Sequence, residues 1–364
     1  MNLSSSQLSQ RYAPAMRQRN YGCRILEMHY QGLRCVVLEN ASLRVAVAVD
    51  KGADIYEFLH KPSDTEFLLR TPLGLRATGP VLPSIGLREG AFLDYYEGGW
   101  QELFPAAGDF PCEYKGAQLG MHGEVALQPW SYRIEEDQPE RITVQFSVHT
   151  LRTPFRLERT LRLQAATPSL QIAERISNWG DETMDFMWGH HPALGWPFLE
   201  EGCHIELPPC TVTVLGSECP PTTRLAPDQS APWPVLRGRQ GESVDLSRMP
   251  GPETKTHDFV FLHGFPKGWY RVVNPRLGLG FRLSWPPEIF RCLWLWKVSR
   301  GAPGFPWYGT TYNLALEPHS SFPPMLPKAL EKGAQLTLAP GAALEVELTA
   351  EIESVPRSSM EHAS

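Results

Sequence analysis

"ALEVELTAEI" (residues 343–352) sets Leu344, Val346, Leu348, Ala350 and Ile352 on one side of an extended chain and Glu345, Glu347, Thr349 and Glu351 on the other. A helix, with its period of 3.6, does not sort these ten residues. A strand with one buried and one wet face does. The same period of two recurs upstream. "LRVAVAVD" (43–50) aligns Leu43, Val45, Val47 and Val49. "FRLERTLRLQ" (155–164) turns Phe155, Leu157, Leu161 and Leu163 inward and Arg156, Glu158, Arg162 and Gln164 outward. "SLQIAERIS" (169–177) sets Leu170, Ile172 and Ile176 against Gln171, Ala173 and Arg175. Turn chemistry separates these runs: "DKG" at 50–52, "NWGD" at 178–181 and "APG" at 339–341.

No long amphipathic helix and no regular βα alternation interrupts the pattern, so the expected class is all-β, a large antiparallel β-sandwich. The 34 prolines and 30 glycines agree with many turns and few long helices. Residues 207–255 break the rhythm with "LPPC", "CPPTT", "APDQSAPWPV" and "RMPGPETK", after which "RVVNPRLGLGFRLSW" resumes it. This reads as a proline-rich loop excursion over the sheet within one domain spanning 33–354. An N-terminal arm and first strands (1–32) precede that domain, and a flexible tail (355–364) follows it.

Composition removes several classes of function. With 42% hydrophobic and 20% charged residues the chain can bury a sizeable core. A net charge of −6 argues against nucleic acid as a partner, and the basic run "RYAPAMRQRNYGCR" reads as a solvated arm. The polar start "MNLSSSQLSQ" lacks a signal-peptide core, and no run of 18 apolar residues exists, so no membrane association is expected. Seven scattered cysteines without a CxxC pair fit reduced thiols in a cytoplasm. Cys203, His204, Cys210 and Cys219 match no standard zinc spacing, and no metal is expected. Serine-elbow, phosphate-loop, dinucleotide and zinc-protease motifs are all lacking.

Four polar clusters remain, each placing His or Glu beside Gly or Pro near a strand end: "GGWQELFPAAGD" (98–109), "GMHGEVALQPW" (120–130), "MWGHHPALGWPF" (187–198) and "NLALEPHSSFPP" (313–324). Taken singly, each has a bland reading as a structural histidine or a solvated strand tip. Adjacent strand residues face opposite ways, so only one of His190 and His191 can reach a given site.

In their order along the chain, "VVLENASLRVAVAVDKGADIYEFLHK", "MHGEVALQPW", "GHHPALG", "LEPHSSFP" and "LAPGAALEVEL" resemble the aldose 1-epimerase (galactose mutarotase-like) superfamily from about residue 33 to about residue 354. The resemblance implies a large antiparallel sandwich that holds a sugar on one concave face and interconverts its α and β anomers without a cofactor. It also implies particular residues. His122 matches the family's HG, His191 matches its second histidine with His190 the alternative, and Glu317 matches its LEP glutamate. Asp258 in "HDFVF" resembles the sugar-binding aspartate, with Phe261 behind it. The family's arginine-bearing NRI stretch is lacking, so Trp100 and Gln101 of "GGWQELFP" are expected in its place, and Ala193-Leu194 replaces the usual aromatic pair.

The implied chemistry is acid–base ring opening. Glu317 takes the proton of the anomeric hydroxyl, His191 protonates the ring oxygen, and His122 binds that oxygen or a neighbouring hydroxyl. Proximity to Glu317 is expected to raise the pKa of His191. Trp294 and Trp296 share a strand face and are either stacking platforms or core. Arg88 and Arg300 are candidate phosphate contacts if the sugar is phosphorylated. Two other readings stay open: a sugar-binding protein without turnover, and a hydrolase or lyase in which Glu124, Glu102 or Asp109 partners Glu317.

Overall fold

The computed structural model describes residue 19 and residues 21–77, 92–108 and 111–356. Arg88, Asp109, most of the N-terminal basic run and most of the C-terminal tail lie outside the described residues. Two large antiparallel sheets pack face to face. One runs, edge to edge, through Arg24–Tyr30, Leu33–Glu39, Leu43–Ala48, Asp54–His60, Trp100–Leu103, Gly189–Leu194, Tyr312–His319, Cys292–Ser299, Thr256–His263, Thr211–Val214 and Gln229–Pro232. The other runs through His204–Glu206, Trp269–Asn274, Leu279–Ser284, Ala343–Ser354, Ser169–Asn178, Phe155–Gln164, Arg141–His149 and Ser131–Asp137. The α-helix Leu326–Glu331 is a minor feature. No helix among the described residues is long and apolar enough to cross a membrane.

The alternating runs account for this arrangement. In Phe155–Gln164 every second residue is buried, and it pairs with Ser169–Asn178 so that Leu157 meets Ile176 and Leu161 meets Ile172. Their inward side chains face those of the first sheet. Phe281 of the second sheet packs edge-on to Phe58 of the first, with ring centroids 5.6 Å apart. Burial of such side chains contributes about 1.5–3 kcal/mol each and does most to hold the layers together.

Two inward positions break the apolar pattern. Arg159 and Glu174 are cross-strand partners on the core side of the second sheet. Glu102 and His190, paired on the first sheet, meet them there. The Arg159 guanidinium binds Glu174 Oε1 at 2.7 Å and Glu102 Oε2, its carbon lies 5.3 Å from the Trp130 ring centre, and Trp188 donates to Glu102. This polar group spans the middle of the sandwich.

The proline-rich excursion is more ordered than a loop. Its "TVTV" (211–214) has the same alternation as the other strands, and with Gln229–Pro232 it extends the edge of the first sheet. Pro232 sits on the outermost strand, where a missing N–H costs no ladder bond. Val235–Arg237 and Ser243–Asp245 form a separate hairpin.

Candidate active site

One row of the first sheet's ladder assembles the centre of the site. Phe261 is opposite Trp294, Trp294 is opposite Glu317, and His191 is opposite Gln101. The pairs Gly189–His319 and Ala193–Ala315 set His191 opposite Glu317. Directly opposed residues share a face, so this row presents Trp294, Glu317 and His191 together on the side of the sheet away from the core. His191 Nε2 is 3.6 Å from Glu317 Oε1. The other carboxylate oxygen, Oε2, is 3.2 Å from His319 Nε2.

Above this row lies a cavity of about 260 Å³. Trp294, Trp296, Tyr96, His191 and Glu317 line its floor and sides, Phe92, His122, His257 and Trp307 add further wall, and Glu218 and Pro220 of the excursion lean over it. His122 arrives on the turn "GMHG" with φ 60°, and its Nδ1–H donates to the Ala107 carbonyl at 2.8 Å. Gly123 must be glycine: its φ is 83°, and a Cβ there would lie 2.3 Å from the Phe104 carbonyl oxygen. The His122 and His191 ring centroids are 5.6 Å apart. Tyr96 packs edge-on against His191 and places its hydroxyl 3.5 Å from Nδ1. Trp296 donates its indole N–H to His257 Nε2 at 2.9 Å.

Burial governs the titration of the imidazoles. It pushes His191 down to about 3, and the neighbouring His122 pushes the same way. Burial likewise takes His122 down to about 4. The direction for His191 is opposite to that expected from Glu317 alone. Desolvation of the ring outweighs the carboxylate 3.6 Å away, so His191 is neutral at pH 7.

The structure brings His122, His191 and Glu317 to one cavity together with Trp294 and Trp296, and sends His190, Trp100, Gln101, Asp258 and Arg300 elsewhere. His190 points into the core, where Trp100 donates to its Nδ1 at 3.3 Å and its Nε2 is 3.1 Å from Glu174. Trp100, 1% exposed, therefore belongs to the core and offers no sugar platform. Gln101 shares the face of His191, but its amide donates to the Gly98 carbonyl at 2.5 Å beside the buried cluster of Lys51, Asp54 and Glu97. Asp258 alternates with His257 and Phe259, both on the cavity, and so faces away. Thr223 and the Arg224 guanidinium bind its carboxylate, and Lys297 stands opposite. Arg300 is exposed and, with φ 51°, borders a different groove beside Trp196 and Tyr312.

The carboxylates considered as partners for Glu317 are also elsewhere. Glu102 is in the core, and Glu124 accepts from the Leu151 and Arg152 amides and the Thr153 hydroxyl. Glu218 is the second carboxylate among the described residues of the cavity wall. Glu102, Glu174 and His190 have donor atoms within 4.8 Å of one another, a spacing that suits a metal ion, but the Arg159 guanidinium supplies the positive charge there. Tyr96, His257, His319, Trp307 and Glu218 join the site without having been expected there from sequence. For His319 the signal was present: two residues after Glu317 on a strand, it must share that face.

The family model described as Domain of unknown function (DUF4432) matches residues 30–352. No curated protein matches the chain in sequence. Among solved structures, a Klebsiella pneumoniae protein provisionally named an aldose 1-epimerase superposes with a TM-score of 0.70 at 15% identity, over 91% of this chain and 82% of its own. A galactose mutarotase-like protein from Clostridium acetobutylicum gives 0.61 at 14% identity, over 92% and 99%. A galactose mutarotase related enzyme from Lactobacillus acidophilus gives 0.57 at 17% identity, over 91% and 98%. At these identities the likeness is one of fold: the two packed sheets form a galactose mutarotase-like sandwich.

Proposed function

The chain belongs to the family described as Domain of unknown function (DUF4432), and we propose that this member is a mutarotase-type isomerase that opens and recloses the hemiacetal ring of a free aldose. The observation that carries this reading is the approach of His191 Nε2 to within 3.6 Å of Glu317 Oε1 on the floor of an aromatic-walled cavity. Glu317 takes the proton of the anomeric hydroxyl as the bond from C1 to the ring oxygen breaks, and the imidazolium form of His191 gives its proton to that oxygen. Rotation of the free aldehyde and the reverse transfers close the other anomer. Burial makes the imidazolium scarce and, by the same token, a strong acid once formed. His122 hydrogen-bonds the ring oxygen or an adjacent hydroxyl. Trp296, half-buried on the cavity, offers its ring face to the sugar's C–H surface, while Trp294, 1% exposed and stacked on His319, packs beneath the site. Seven unpaired cysteines, five of them buried, support a cytoplasmic location.

Exchange between anomers, followed by NMR on freshly dissolved pure anomers of common aldoses, tests the reading. Wild-type protein should accelerate exchange for at least one sugar, and Glu317→Gln should lower that acceleration by roughly 10²–10⁴-fold. Unaccelerated exchange for every sugar, or an equally active variant, sinks it. Glu218 on the same cavity wall favours one second reading, glycoside cleavage between two carboxylates. Release of reducing ends from simple glycosides would select it, and tight sugar binding with unaltered exchange would select a binding protein.

A further inference from the structure

The side chain that this function leaves unused is His319. It lies two residues beyond Glu317 on the strand Tyr312–His319 and is fully buried. Its ring stacks on Trp294 with centroids 3.6 Å apart and planes 16° from parallel. The opposite residue on the neighbouring strand is Gly189, where a Cβ would fall 2.0 Å from His319 Nδ1. The ring is thus held in one orientation by an indole on one side and by the lack of a side chain on the other. In that orientation Nε2 is 3.2 Å from Glu317 Oε2, while Nδ1 has no hydrogen-bond partner.

These contacts decide which nitrogen carries hydrogen. A carboxylate oxygen accepts, so the nitrogen facing it donates, and the unpartnered Nδ1 keeps its lone pair. Burial, reinforced by the nearby imidazoles of His122, His191 and His190, holds His319 well below the ordinary imidazole range and therefore neutral. A neutral donor orients a carboxylate without the strong loss of basicity that an ammonium or guanidinium partner imposes.

We propose that His319 is a positioning residue: as the Nε2–H tautomer it fixes Glu317 Oε2 and so aims Oε1 at His191 and the sugar. The proposal rests on the mutarotase reading of this cavity for its effect on rate, but its structural half stands without turnover.

The test has two arms. In the first, anomer exchange is compared for wild type, Glu317→Gln, His319→Phe and His319→Gln. Phenylalanine keeps the stacking ring and removes the donor; glutamine restores an N–H. His319→Phe should lower kcat on the order of 10- to 100-fold with little change in KM. It should also move the acidic limb of the pH–rate profile to higher pH, while His319→Gln recovers most of the rate. An active His319→Phe beside an inactive Glu317→Gln overturns the positioning role alone. Equal loss in both His319 variants, with an unmoved acidic limb, does so as well. An active Glu317→Gln overturns the reading of the site itself. In the second arm, ring nitrogen NMR of the wild-type protein should show His319 neutral and protonated at Nε2 at pH 6. Protonation at Nδ1, or a charged ring at that pH, overturns the proposal whether or not any sugar turns over.

Discussion

His190 and His191 are neighbours in the chain and belong to different environments. The extended strand turns His191 to the cavity and His190 to Glu102 and Glu174 in the core. The alternation rule that separates them was legible in the sequence. The same rule, applied to Trp100 and Gln101, would have shown that the two cannot serve one site, and applied to Asp258 it would have pointed to His257 and Phe259 instead. What the sequence could not give was the titration state of His191, because that depends on how thoroughly Tyr96, Trp296 and His122 enclose it. The enclosure has a measurable consequence. In the unfolded chain the imidazole takes up a proton near pH 6.5; in the folded protein it resists until about 3. Over that interval the unfolded state binds more protons, so stability is present in full above pH 6.5 and is lost as pH falls below it. Replacing the ring removes this loss. His191→Asn should therefore shed about 1.4 kcal/mol less stability than wild type between pH 7.5 and 5.5, read from urea midpoints at the two pH values. Parallel losses would mean that the ring is not desolvated.

The strand Gly189–Leu194 shows how an element meets two demands at once. It pairs with Trp100–Leu103 on one side and Tyr312–His319 on the other, carries His191 on its outer face and His190 on its inner face, and leaves an empty position at Gly189 for the His319 ring. The flexible backbone that glycine brings is a cost in a strand, and here the close approach of a neighbouring side chain explains it. Gly189→Ala should force His319 off Trp294 and away from Glu317. A stability loss of roughly 1–3 kcal/mol is expected, together with a fall in anomer exchange. A fully stable and active Gly189→Ala would show that His319 has room the packing denies. The strands with clean alternation were readable from composition and spacing. The strands of the excursion were obscured because proline normally signals a loop. The short "TVTV" run becomes a strand only because the edge of the first sheet is there to pair with it.

Across the whole molecule, the two sheets are tied by apolar packing and by the Glu102–Arg159–Glu174–His190 group between them. Two breaks in otherwise apolar inward positions, Arg159 and Glu174, announced this group in the sequence. Their partners on the first sheet come from distant segments, and no local pattern connects them. Arg159→Met should leave the Glu102 and Glu174 carboxylates in the core without their guanidinium, with His190 left beside them, and cost about 3–5 kcal/mol, a shift large enough to read directly from the urea midpoint. An unchanged midpoint would mean that the carboxylates are already neutral. The cavity above the first sheet has a different construction from this rigid interior. Its floor is set by strand register, whereas Glu218 and Pro220 reach it from a segment that hangs from the sheet's rim. On the mutarotase reading, reaction and selectivity would then be housed in separable lengths of polypeptide. Under that reading, variation in the overhanging stretch would retune which sugar is admitted, while His191 and Glu317 beneath stay fixed by the hydrogen-bonding of their strands.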